Sequence, residues 1–296
     1  KYPKKEGEDE ATYRKAIKAR GFDILRGFLP AGVTTQLSWH TNLRQANDKL
    51  SLLRLHPLKE VRDVSEKILA SLKEKYPQSF NHPTYEETEK YKAFLASKYN
   101  YFFNDIKKDF SYKTNISKTE LGKYKDIINK RPLKTGLPQF LAELGNITFD
   151  FKLDFGSFRD IQRHRNGVCR MPLLTSKIGF NEWYLSELPE ELKIIAGKLI
   201  KEQIKRIKSL KTTKENAQYY FAMGFNVPCR VTYGLPAAVY VTELRSGRTV
   251  HPTLRKIAHK MSVAILKAFP KFKIHTDNLP DDFDIRRGLQ DISEKK

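Results

Sequence analysis

Ile147, Phe149, Phe151 and Leu153 alternate with polar residues through "NITFDFKLDF" (146–155). A period of two predicts a strand with one buried face. "NVPCRVTY" (226–233) predicts a second strand, and Val33, Gln36, Leu37 and Trp39 within 28–41 a third, entered through a Pro/Gly turn. Helical spacing governs most of the rest. It predicts helices over 11–26, 42–54 with Asn42 as N-cap, and 56–77 with Leu58, Val61, Val64, Ile68 and Leu72 on one face. Further helices are expected near 86–109, 117–129, 157–165, 188–210, 236–245 and 252–269, with a short one at 140–144. Residues 78–87 read as a linker, 130–138 as a loop and 276–296 as a polar tail. Helices mixed with a few alternating strands predict an α+β fold, an antiparallel sheet against long packed helices.

Two stretches echo each other. "FLPAGVTTQLSW…LSLLRLHPLKEVRDVSEKI" (28–68) and "FAMGFNVPCRVTYGLP…VTELRSGRTVHPTLRKIAHKM" (221–261) share one order: turn, strand, helix ending in Leu-Arg, His-Pro pair, long amphipathic helix. A repeat distance of ~190 residues is that of a duplicated domain, not a solenoid unit. This predicts two tandem copies. Residues 1–80 would be the C-terminal part of a first, incomplete copy, and 86–275 a second. The chain would then open in the middle of the first copy.

Charge narrows the chemistry. Lys and Arg number 55 against 34 Asp and Glu in 296 residues, a formal net charge of +21. That field favours anionic partners. The aromatics fall mostly at core periodicity rather than between basic residues, which argues against a nucleic-acid surface. No apolar run reaches the ~18 residues that suggest a membrane span. Two cysteines without a CxxC predict neither a disulfide framework nor a zinc site, and the expected compartment is the cytoplasm.

The densest cationic stretch is "RDIQRHRNGVCR" (159–170). From the residues alone, Arg163-His164-Arg165 fits a solvated helix end, a nucleic-acid grip or a phosphate clamp. The alternating strand before it, the helix ending in Arg-His-Arg and the preceding Glu143 together resemble the flavin-dependent thymidylate synthases. Further resemblance lies in the earlier stretch: "RGFLP" with Arg26, "TNLR" with Asn42 and Arg44, and "SLLR" with Arg54. The resemblance implies that Glu143, Arg163, His164, Arg165, Asn42 and Arg44 contact FAD. It implies that Arg26 and Arg54 bind dUMP, with Arg54 favouring the ionised uracil. It further implies methylation of dUMP to dTMP with methylenetetrahydrofolate and NADPH, and an assembly of four copies, here a homodimer of tandem chains.

The departures are specific. Leu144 stands where the family carries His. Leu173-Leu174-Thr175 replaces a Ser-x-Arg, and Tyr233-Gly234-Leu235 an Asn-x-Arg. The second copy therefore looks degenerate for dUMP. A non-catalytic flavin- or nucleotide-binding scaffold is the alternative, and a basic nucleic-acid-binding protein a further one.

Overall fold

The computed structural model describes residues 2–81, 83–98 and 108–278. In chain order the elements are helices α1 (Glu10–Leu25), α2 (Leu43–Leu53), α3 (Lys59–Lys75), α4 (Pro77–Phe80) and α5 (Glu86–Lys98), strand β1 (Phe110–Thr114), helices α6 (Lys118–Gly122) and α7 (Lys125–Asn129), strand β2 (Asn146–Asp154), helix α8 (Phe155–Gln162), strand β3 (Gly167–Arg170), helices α9 (Glu182–Ser186), α10 (Glu190–Ser209) and α11 (Lys214–Ala217), strand β4 (Asn226–Gly234), and helices α12 (Leu235–Arg245) and α13 (Pro252–Ala268).

The four strands form one antiparallel sheet in the order β1-β2-β4-β3. The alternation read from the sequence decides its faces. Ile147, Phe149, Phe151 and Leu153 of β2 are buried with Val227, Cys229, Val231 and Tyr233 of β4. This apolar face packs in one core with α12 and α13. Polar cross-strand pairs occupy the alternate positions: Arg230 to Asp150 at 2.5 Å, and Thr148 to Thr232 at 2.9 Å. Pro228 is tolerated because β3 ends opposite Arg230, which leaves β4 with a free edge at the proline.

Four readings of the pattern are corrected. Residues 33–40 are neither helix nor strand and have no strand partner among the described residues, and Leu37 is 88% exposed. Alternation shows that a segment suits a sheet; a ladder also needs a neighbour. The helix expected over 86–109 is described as a helix only to Lys98; residues 99–107 lie outside the described chain, and β1 follows. The linker contains α4, whose Phe80 is buried with Ala46 and Leu50. On the expected face of α3, Val61, Ile68 and Leu72 are half-buried, but Val64 is exposed, while Ser65 is buried and donates to the carbonyl of Leu50 at 3.0 Å. Of the expected polar tail, 279–296 lies outside the described residues.

The segment before residue 80 is tied to the later one. Arg20 of α1 reaches Glu187 at 3.0 Å, both nearly buried. The 3₁₀ turns Arg26–Phe28 and Gln218–Tyr220 then exchange four backbone hydrogen bonds across Pro30 and Ala222. Ala31 N–H donates to the Phe221 carbonyl at 2.8 Å, and Met223 N–H to that of Leu29 at 2.8 Å. Gly32 N–H donates to Tyr219 at 2.9 Å, and Gly224 N–H to Gly27 at 2.7 Å. Each bond is the two-fold mate of another when residues 192 apart (26 to 218) are equated. At that same spacing α2 and α12 coincide, 11 residues each, and at one residue more so do α3 and α13, 17 each.

Candidate functional site: an arginine row along α8

α8 begins where β2 ends. The side chain of Asp154 accepts from Ser157 N–H at 2.8 Å, capping the helix, and Phe158 and Ile161 bury its inner face. The expected helix through residue 165 stops earlier: Gln162 is its last residue and Arg163 its C-cap. The chain then turns into β3 at Gly167, where a Cβ would sit 2.3 Å from the Tyr233 ring. Only glycine permits that approach.

The three residues of Arg163-His164-Arg165 separate in role. Arg163 is 75% exposed, with Asp160 3.5 Å away. Arg165 is exposed. His164 is half-buried: Arg245 of α12 donates from Nε to its Nε2 at 2.9 Å, and Tyr240 lies edge-on with centroids 6.0 Å apart. Burial, then the Arg245 cation, lowers the His164 pKa to about 4. Arg245 also holds the Asp160 carbonyl at 2.9 Å, fixing the end of α8 to α12.

Arg26 comes to the same helix from the other segment. It is half-buried, and no hydrogen-bond acceptor reaches its buried Nε. Its charge acts on Arg159 of α8 and on the buried Tyr184. Desolvation first, then Arg26, lowers the Arg159 pKa, with Arg163 adding to it. Arg26, Arg159, Arg163 and Arg245 thus form a row of like charges. Asp160 offsets part of this charge at Arg159, Arg163 and Arg245, and a further anion would offset more of it. Glu143 is exposed in the 3₁₀ turn Gln139–Leu144, just before β2. Because Ile147 and Gly167 both pair with Tyr233, Glu143 and Arg165 lie towards the same end of the sheet.

The remaining sequence candidates sit elsewhere. Asn42 caps α2, its side chain accepting from Gln45 N–H at 2.9 Å. Arg44 is exposed on the first turn of α2. Arg54 ends α2 and is ion-paired with Glu89 of α5. Among the described residues no hydrogen bond or ion pair joins these three to α8. Arg159 and Arg245 were not singled out from the sequence as site residues. Signals were present for both: Arg159 is one helical turn before Arg163, and Arg245 ends the Leu-Arg helix that matches Arg54 in the repeat.

Neighbouring nucleophiles are disabled. Burial pushes the Cys169 thiol up to about 12, and Cys229 is fully buried with its pKa raised. Ser157 touches His251 at 3.1 Å, but both are sealed in the core with Thr253.

No family model matches the chain. It is 25% identical over 319 residues to a UPF0159 protein of Chlamydia muridarum, covering 92% of this chain and 60% of that protein. It is 24% identical to a UPF0159 protein of Thermoplasma acidophilum, covering 88% and 60%. The chain thus spans about three fifths of the length of these relatives. Among solved structures, a UMP/dUMP methylase, PolB, of Streptomyces cacaoi aligns with a TM-score of 0.38 at 14% identity, over 56% of this chain and 92% of that one. Thymidylate synthase X of Helicobacter pylori, solved with FAD and dUMP, aligns at 0.34 and 15%, over 44% and 69%.

Proposed function

We propose that this chain is a tandem, partly degenerate flavin-dependent thymidylate synthase, with residues 1–80 the end of a first copy and 86–275 a second. The observation that carries the reading is the delivery of Arg26, across the two-fold turn exchange, to the helix that ends in Arg163-His164-Arg165. One copy brings the nucleotide-phosphate arginine and the other the flavin motif. The donor set suits both ligands: Arg163 and Arg165 are exposed for a diphosphate, and Arg26 keeps a buried donor unused.

In this reading FAD supplies the redox chemistry when bound. Arg163, Arg165 and Glu143 would hold it, and neutral His164, its Nε2 occupied by Arg245, is a positioned Nδ1–H donor or packing surface. Arg26 holds the dUMP phosphate. Arg54, Asn42 and Arg44 serve a second, symmetry-related site, with a dimer of tandem chains completing four copies in the cytoplasm. Methylenetetrahydrofolate donates the one-carbon unit and NADPH the reducing equivalents.

A second reading has its own observation. Glu89 holds Arg54, and Leu173-Leu174-Thr175 leaves no Ser-x-Arg beside α8. A non-catalytic scaffold copy that binds flavin or nucleotide would look the same. The experiment is reconstitution of the purified chain with FAD, followed by a dUMP-to-dTMP assay. Flavin absorbance and dTMP formation, both lost in Arg163→Ala/Arg165→Ala, support the enzyme. Flavin binding without turnover supports the scaffold. Protein that stays colourless with excess FAD overturns the enzyme and the flavin-binding scaffold, and the absence of dUMP binding as well overturns the nucleotide-binding one.

A further inference from the structure

A cavity lies at the end of the sheet away from Arg163-His164-Arg165. It is a groove of about 1230 Å³ between the N-terminal segment, the ends of β2 and β4, and the start of α13. Leu153 marks it on β2, six residues beyond Ile147. At a strand rise of about 3.3 Å per residue, some ~20 Å separate it from the Arg165 end. The groove shares no lining residue with the site proposed above.

Its wall is cationic. Lys4, Lys5, Lys152, Lys193, Lys256 and Lys260 line it together with Arg20, against Asp109, Glu182 and Glu187. Arg20 is already matched by Glu187 at 3.0 Å. Lys4 is matched by Glu10 at 2.9 Å and Lys193 by Glu190 at 3.4 Å, so the excess charge lies with Lys152, Lys256 and Lys260 around Asp109. Asp109 pairs with Lys152 at 2.9 Å, and the charges of Lys260 and Lys256 also reach it. One acid therefore stands among three lysines. Lys256 and Lys260 have no ion-pair or hydrogen-bond partner among the described residues, although they stand four apart on one face of α13. Like charges at that spacing repel, and Asp109, already paired with Lys152, offsets only part of that repulsion.

Two further features fit the same ligand. The first turn of α13 opens on the groove, and its N-cap, His251, makes no side-chain capping bond, so the positive end of a 17-residue helix adds to the lysines. Trp183 forms part of the wall and is held there by the Arg20 guanidinium, 5.0 Å above its ring. A flat apolar wall beside a multiply cationic floor suits a ligand with a hydrophobic or ring-bearing body and an extended anionic tail.

We propose that this groove is a second binding site, for a ligand tail that carries two or more phosphate or carboxylate groups in series. Lys152, Lys256 and Lys260 hold the tail, and Trp183 contacts the body of the ligand.

The test is calorimetric titration of the full chain with sodium tripolyphosphate and, separately, with a triglutamate peptide, at low and at physiological salt. Lys256→Glu/Lys260→Glu is the variant, with its melting temperature measured alongside. At least one probe is expected to bind, more weakly as salt screens the lysines, and to lose ten-fold or more of its affinity in the variant. Binding of tripolyphosphate alone identifies a phosphate tail, and of triglutamate alone a carboxylate tail. The milder Lys256→Gln/Lys260→Gln serves if the charge reversal fails to fold. No binding of either probe at millimolar concentration overturns the proposal. So does binding that survives both lysine variants, or that disappears in Arg163→Ala/Arg165→Ala, since the anion then sits in the arginine row.

Discussion

Arg245 donates its Nε–H to the Nε2 of His164 across 2.9 Å, so that nitrogen must be an acceptor. The imidazole is then neutral, with its proton on Nδ1. Burial and the Arg245 cation lower its pKa to about 4 in the folded chain, against about 6.5 for a free imidazole. The unfolded chain therefore binds the proton more readily. The contribution of His164 to stability is full above pH 6.5 and is lost as pH falls towards 4. Titration of the imidazole by NMR should give a midpoint near 4. Arg245→Gln should raise it only part of the way to the free value, because burial is the larger cause. A midpoint above 6 in the wild-type chain would show that the contact with Arg245 is not made in solution.

The two-fold turn exchange can be probed at Gly224. A Cβ there would lie 2.4 Å from the Phe180 ring and 2.8 Å from the Gly27 carbonyl, the acceptor of Gly224's own N–H. The ring can tilt but the backbone carbonyl cannot, so Gly224→Ala is expected to lower stability by about 1–3 kcal/mol, the usual range for an overpacked site. Gly21→Ala, where nothing lies within 4 Å of the added carbon, is the control and should not destabilise the fold. Denaturant melts of the two variants should separate clearly. Equal midpoints would mean that the exchanged turns are not held together.

Glu89 competes for Arg54. If Arg54 binds a nucleotide, it must leave an ion pair with the half-exposed carboxylate of α5. Glu89→Gln removes that competitor's charge and keeps its shape. The affinity for dUMP should then rise several-fold, with the melting temperature measured alongside because Glu89 also pairs with Lys92 at 3.0 Å. Unchanged affinity in the variant would take Arg54 out of the nucleotide site.

What could be read from the sequence follows from where each signal resides. β2 and β4 were legible because both are central strands with one buried face, and that burial imposes strict alternation on Ile147 to Leu153 and Val227 to Tyr233. β1 and β3 were not. They are edge strands of five and four residues, and Val168 on β3 is 59% exposed, so little burial writes a pattern there. Residues 33–40 carried the alternation without a partner to pair with. The site divides in the same way. Arg163-His164-Arg165 stood out by composition, but the contact of Arg245 with His164 and the effect of the Arg26 charge on Arg159 join residues 81 and more apart, which only the fold brings together.

Arg26 decides whether the arginine row is built for a ligand or for the fold. Its buried Nε lacks an acceptor, and its charge faces Arg159. An unsatisfied buried donor and a like-charge neighbour both cost free energy, so neither is a stabilising contact of Arg26. Arg26→Met keeps the stem and removes both costs. The unliganded variant should therefore melt no lower than the wild type. A bound anion stabilises a protein by about 2.7 kcal/mol at a hundred times its dissociation constant. That gain, measured as the shift in unfolding midpoint on adding dUMP, should be present in the wild type and largely absent in Arg26→Met. A variant that melts well below the wild type while keeping the full dUMP shift would make Arg26 a structural residue and remove the main support for a site shared between the two segments.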